Sequence, residues 1–235
     1  MIKDTIRNQL WDIYDAKGYK TLEEAAWKLM KLCESKAKDQ KYRELKGEIA
    51  EVVLECLLCE IQRDLQPSIV LKGLCIPFRN SNSTTELDLT LVTPKRIILF
   101  ESKSYMHRPK VTEQCKLGDK MDVAAQSKLH LTALNQYIGG VRNKDARQTP
   151  YKFILFEMST EGVNDQRTEE NKKRIPVANP ATLRPVITQV MVESSDEVWD
   201  MNTLLPILTS LNANSDKQFE RHMKRMMAKK TKKGE

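Results

Sequence analysis

Four consecutive apolar residues, Ile97-Ile98-Leu99-Phe100, run without a break into Glu101-Ser102-Lys103. An unbroken apolar run of this kind reads as a central strand covered on both faces, which places it in the layered sheet of an α/β protein. Ionised groups at the end of such a strand need partners or a cation, because desolvating a charge is costly. Side chains alternate along a strand, so Glu101 and Lys103 leave on one face and Phe100 and Ser102 on the other.

The flanking segments supply the neighbours this strand needs. Glu86 to Val92 alternates polar with apolar, the period of a strand with one face buried, and Thr93-Pro94-Lys95-Arg96 turns it into a hairpin with the central strand. Asp88 and Glu101 then stand on adjacent strands. Upstream, residues 42–63 read as a helix with an apolar face through Ile49, Val52, Val53, Cys56 and Leu57; Glu48, Glu51 and Glu55 share another side of it. Ile69-Val70-Leu71 reads as a short strand bounded by Gly73, and residues 78–85, rich in Asn, Ser and Thr, as a loop. Downstream come a polar, basic loop over 104–120, a helix over 122–137 with Val123, Leu129, Leu131, Ala133 and Leu134, and a buried strand over 151–156. Val186 to Val192 reads as one more strand, and 195–211 and 216–230 as helices.

Residues 1–40 are expected to be helical, with Thr21-Leu22-Glu23-Glu24 as a capping box opening the second helix. At 235 residues the chain suits one catalytic core with additions: an N-terminal helical extension over 1–40, a core over 41–194, and C-terminal helices with a basic tail over 195–235. The order αβββαβ in that core implies a mixed central sheet flanked by N-terminal and C-terminal helices.

Composition narrows the function classes. No apolar run approaches the roughly 20 residues of a membrane span, the N-terminus lacks the order of a secretion signal, and five cysteines show no framework spacing. These features point to a cytoplasmic protein with no membrane role. The net charge of +7 is concentrated in residues 221–235, where seven basic side chains face one acidic one. Such a tail suits a polyanionic partner, through counterion release from phosphates, and makes Lys224, Arg225, Lys229 and Lys230 candidate nucleic-acid contacts together with Lys110 and Lys116 of the basic loop. Cys56 and Cys59 form a CxxC, but neither a second CxxC nor nearby histidines complete a metal site, which favours buried thiols. His107, His130 and His222 lack a second partner at metal spacing and read as surface residues; Trp11, Trp27 and Trp199 read as core.

Phosphodiester hydrolysis needs a cation to offset charge on the phosphoryl oxygens, an activated water and a fixed line of attack. Two carboxylates and a lysine on neighbouring strand ends fit that demand. The segment from about residue 44 to 158 resembles the PD-(D/E)xK nuclease superfamily, and within it the nuclease-related domain, NERD. The family's helical acid matches Gly47-Glu48-Ile49-Ala50-Glu51, with Glu51 as first assignment, Glu48 as second and Glu55 on the same side; its aspartate matches Asp88, preceded by Leu87 where the motif carries proline; its ExK matches Glu101-Ser102-Lys103; its glutamine-bearing helix matches Ala125-Gln126-Ser127-Lys128.

The resemblance implies a restriction-endonuclease-like fold and a nuclease acting on nucleic acid, DNA first of all, in restriction, mobile-element or phage DNA processing. It implies that Asp88, Glu101 and the Ser102 carbonyl hold Mg²⁺ or Mn²⁺, with Glu51 binding directly or through water, Lys103 stabilising charge or deprotonating water, and Gln126 beside the site. Cutting both strands at one place would favour a homodimer. The alternative is a nucleic-acid-binding or adaptor protein that keeps the fold without cutting.

Overall fold

The computed structural model describes residues 2–36, 38–77, 84–105, 108–117, 121–138, 151–159, 162–192 and 199–211. Three helices come first: α1 (Ile2–Lys17), α2 (Tyr19–Ser35) and α3 (Gln40–Gln62). Gly18, at φ +77°, lets the chain reverse between α1 and α2, and its amide donates to the Tyr14 carbonyl at 2.8 Å. Thr21 does not cap α2. The helix already begins at Tyr19, and the Thr21 hydroxyl donates back to the Lys17 carbonyl instead. Asp39 caps α3 by accepting from the Lys41 amide at 2.9 Å.

The main sheet has five strands in the order β1 (Ile69–Pro77), β2 (Thr84–Val92), β3 (Ile97–Tyr105), β7 (Tyr151–Ser159) and β9 (Val177–Ala178). The first two ladders are antiparallel and the last two parallel, so the sheet is mixed. A smaller sheet joins β6 (Met121–Asp122), β5 (Lys116–Leu117), β4 (Lys110–Val111) and β8 (Asn164–Asp165). The basic loop expected over 104–120 therefore contains strand: β3 runs on to Tyr105, and Lys110 and Lys116 stand exposed on β4 and β5. Likewise β1 passes through Gly73 to Pro77, and Thr84 and Thr85 already belong to β2. The remaining helices are α4 (Val123–Ile138), α5 (Glu169–Arg174), α6 (Leu183–Val192) and α7 (201–211). Among the described residues no helix is long and apolar enough to cross a membrane.

Residues 183–192 are helix, not the strand that their β-branched run suggests. Asn179 decides it: its side chain accepts from the Ala181 and Thr182 amides at 3.0 Å, while its own amide donates to the Thr182 hydroxyl at 2.9 Å. Pro185 falls in the first turn, where its missing N–H has no intrahelical acceptor to lose. The buried positions Leu183, Ile187 and Val190 then follow helical spacing.

Two cores sandwich the sheet. The first joins α1, α2, α3 and α6 to Leu89, Leu91, Ile98, Phe100, Ile154, Phe156 and Met158. The second joins α4, α7 and Trp199 to Leu71, Leu74, Ile76, Leu87, Ile97, Leu99, Phe153 and Leu155. On β3 and β7 alternation assigns each residue to its core. On β1 and β2 it breaks: Leu87 and Leu89 enter different cores, and Lys72 is directed at the acids of α3 whereas Leu74 enters the second core. The break falls at Gly73 (φ +60°) and Asp88, the pair missing from an otherwise continuous register of Lys72 with Leu89 and Leu74 with Leu87. Glycine is the residue that turns a strand this way at low cost.

Candidate active site

The reversal at Gly73 leaves Asp88 in neither core. The β2–β3 ladder ends one step away, at Leu89 with Phe100, so the strands part where Asp88 and Glu101 stand. In the gap the Ser102 amide, released from the ladder, donates to Asp88 Oδ2 at 3.0 Å. Glu101 is buried on the α4 face of β3, and the Lys103 ammonium donates to Glu101 Oε1. Both residues share that face, as alternation requires.

Electrostatics tie the cluster together. Burial, then the negative charge of Glu101, push the Asp88 carboxyl up to about 7; Glu51 adds to the rise, while the Ser102 amide and Lys103 oppose it. Glu51 itself is raised by burial, against the pull of Lys72 and with the push of Glu48. Asp88 thus feels two further carboxylates, Glu101 from β3 and Glu51 from α3.

The acidic row on α3 is sorted by its partners. Arg7 of α1 donates to Glu48 Oε1 at 2.9 Å and also grips Glu55, while Lys72 of β1 lies 3.6 Å from both Glu48 and Glu51. Glu51 is the member that acts on Asp88. Position along the helix could not separate the three; a guanidinium from another helix does. Arg7→Ala is expected to leave a like-charged row behind and to lower stability by about 1–2 kcal/mol, between the range for exposed pairs and that for fully buried ones. A urea midpoint unchanged in Arg7→Ala would show that the pairs are idle.

Among the described residues no three His, Cys, Asp or Glu side chains are gathered closely enough to enclose a metal ion as they stand. Each carboxylate is held by a neighbour: Asp88 by the Ser102 amide, Glu101 by Lys103, Glu51 by Lys72. The donor chemistry nevertheless fits a hard divalent cation, since carboxylate oxygens are its preferred ligands and their mutual repulsion is what such a charge would relieve. Gln126 lies half-buried on α4 and, among the described residues, hydrogen-bonds none of these three carboxylates. Lys224, Arg225, Lys229, Lys230, His107 and His222 lie outside the described residues.

Two residues near the site escape a reading by motif. His130 is buried, not a surface residue: burial lowers its pKa, and it feels both Glu101 and Lys103. The signal was in α4, whose buried stripe runs Val123, Ser127, His130, Ala133, Leu134 and Ile138, whereas Leu129 is 47% exposed. The second is Glu157, at the end of the apolar run in β7 much as Glu101 ends that of β3.

Residues 46–156 match the family model described as the nuclease-related domain, NERD. Two solved structures are similar: protein VC1899 from Vibrio cholerae, 12% identical with a TM-score of 0.40, over 66% of this chain and 36% of that one; and Can2 from Sulfobacillus thermosulfidooxidans in complex with cyclic tetra-adenylate, 14% identical with a TM-score of 0.41, over 79% of this chain and 56% of that one. The chain thus spans less than two thirds of the length of either. Comparison with curated proteins gives no match.

Proposed function

From the match of residues 46–156 to the nuclease-related domain, we propose a metal-dependent nuclease that hydrolyses phosphodiester bonds of nucleic acid, DNA first of all, as in restriction, mobile-element or phage DNA processing. The observation that carries this reading is the placement of Asp88 and Glu101 where β2 and β3 part, with Glu51 acting on Asp88 from α3 and Lys103 on the face of Glu101. A binding or adaptor protein would gain nothing from carboxylates beside a phosphate, because they repel it unless a cation intervenes.

Asp88, Glu101 and the Ser102 carbonyl would hold Mg²⁺ or Mn²⁺, with Glu51 as the outer acid and Glu48 kept back by Arg7. When bound, the ion supplies charge neutralisation for the phosphoryl oxygens and lowers the pKa of water. The Ser102 amide orients Asp88. Lys103 presents an ammonium to the developing phosphate charge or helps to deprotonate water. Gln126 would border the site from α4. Lys110, Lys116 and the basic residues Lys224, Arg225, Lys229 and Lys230 would bind the nucleic-acid backbone, and cutting both strands at one place would call for a homodimer.

The test is a cleavage panel of linear, circular, single-stranded and branched DNA plus RNA, run with Mg²⁺, Mn²⁺ or EDTA, beside a thermal melt in the same buffers. Cleavage should require the ion. At a hundred times its dissociation constant the ion should stabilise the fold by about 2.7 kcal/mol, a rise of about 5–10 °C for a chain of this size. No cleavage of any substrate together with no metal-dependent rise in melting temperature would overturn the reading in favour of an adaptor.

A further inference from the structure

Glu157 is fully buried on β7, and neither of its carboxyl oxygens has a hydrogen-bond partner among the described residues. Burial alone pushes it up to about 8, so it stays protonated at neutral pH. A buried acid without a partner is a cost to the fold, and natural proteins rarely keep one without a use.

Its place suggests the use. In the parallel ladder of β3 with β7, Glu101 is opposite Leu155 and Lys103 is opposite Glu157. Parallel partners send their side chains to the same face. Phe156 and Met158 enter the first core and Leu155 the second, which puts Glu157 on the face shared by Glu101 and Lys103. Lys103 therefore has two acidic positions as neighbours on its face, Glu101 two residues back on its own strand and Glu157 across the ladder. Among the described residues only Glu101 holds it.

We propose that Glu157 is a positioning residue for Lys103: when Glu101 turns to a divalent cation, Glu157 gives up its proton to bulk water and, as a carboxylate, takes over the Lys103 ammonium, ending its competition for Glu101 and keeping it on the site face. The inference rests on the metal-dependent nuclease reading and adds the element that reading lacks, because an Asp88–Glu101 pair whose second member is locked to lysine is a poor cation site. Tyr105, two residues beyond Lys103 on β3, has its phenol raised by burial first and by Glu157 second.

The test measures Mn²⁺ binding to the full chain from the electron paramagnetic resonance signal of the free ion, so it does not depend on cleavage. Glu157→Gln should weaken Mn²⁺ binding by about tenfold, the lower end of what outer-shell partners contribute, while melting in EDTA at or above the parent's temperature. In a Lys103→Met background, where nothing competes for Glu101, Glu157→Gln should change Mn²⁺ affinity by less than about twofold. Glu157→Met, of similar volume, gives the same comparison should the glutamine variant fail to fold. Unchanged affinity in Glu157→Gln, or a loss that persists in the Lys103→Met background, overturns the role of Glu157 alone. A parent chain that binds no Mn²⁺ overturns the nuclease reading as well.

Discussion

Asp88→Asn and Glu101→Gln should each lower cleavage about a thousandfold or more while the protein stays folded. Outer-shell partners of a bound cation are worth about 10- to 100-fold, and a carboxylate that holds the cation itself should be worth more. The fold should not suffer, because the substitution removes charge from a place where three acids repel one another. In the absence of metal Asp88→Asn should in fact be the more stable protein, and the gain should depend on pH in a definite direction. The folded-state pKa of Asp88, about 7, lies above its ordinary 3.8, so the fold binds this proton more tightly than the unfolded chain does. That contribution is complete below pH about 4 and is lost as the pH rises through 7. Asparagine does not titrate. The difference in stability between variant and parent, measured in EDTA, should be near zero at pH 4, grow between pH 4 and 7, and level off at about 2 kcal/mol above it, less than the full shift would give because Asp88 and Glu101 share the repulsion. A variant that cuts at the parental rate would remove Asp88 from the chemistry; a stability difference independent of pH would remove the crowding.

Lys103→Met should separate chemistry from cation binding. Losing the ammonium should cost about 10²–10³-fold in cleavage, the usual loss for one group aimed at developing charge. Mn²⁺ affinity should stay the same or tighten, since the substitution frees Glu101 from the lysine that now holds it. The plain alternative, a lysine whose whole duty is to neutralise Glu101, predicts the tighter binding without the loss of rate. Single-turnover cleavage at saturating Mn²⁺ distinguishes the two.

Much of this site was legible in the sequence because its geometry is local. An apolar strand that ends in Glu-Ser-Lys fixes which side chains share a face, and a four-residue turn fixes which strand lies beside it; both follow from the period of an extended chain. The helical acid was narrowed only to Glu48, Glu51 or Glu55, since all three lie on one side of α3. The burial of His130 is not legible in the sequence because a histidine in a helix says nothing of burial until the buried stripe is known, and the β-branched run of 183–192 hides a helix because its cap lies in residues that look like loop.

The order of elements, the mixed sheet, the polar triplet at a strand end and the kinds of ligand available were set by the residues themselves, through periodicity and the cost of burying charge. Tertiary structure alone decided the rest: Arg7, 41 residues before Glu48 and 48 before Glu55, engages those two and leaves Glu51 to Lys72; Gly73 reverses two strand faces and so aims Asp88 into the fork; and the parallel pairing of β3 with β7 sets Glu157 beside Lys103. Each of these depends on groups far apart in the chain coming within a few ångströms, where charge and packing act on distance and not on sequence separation.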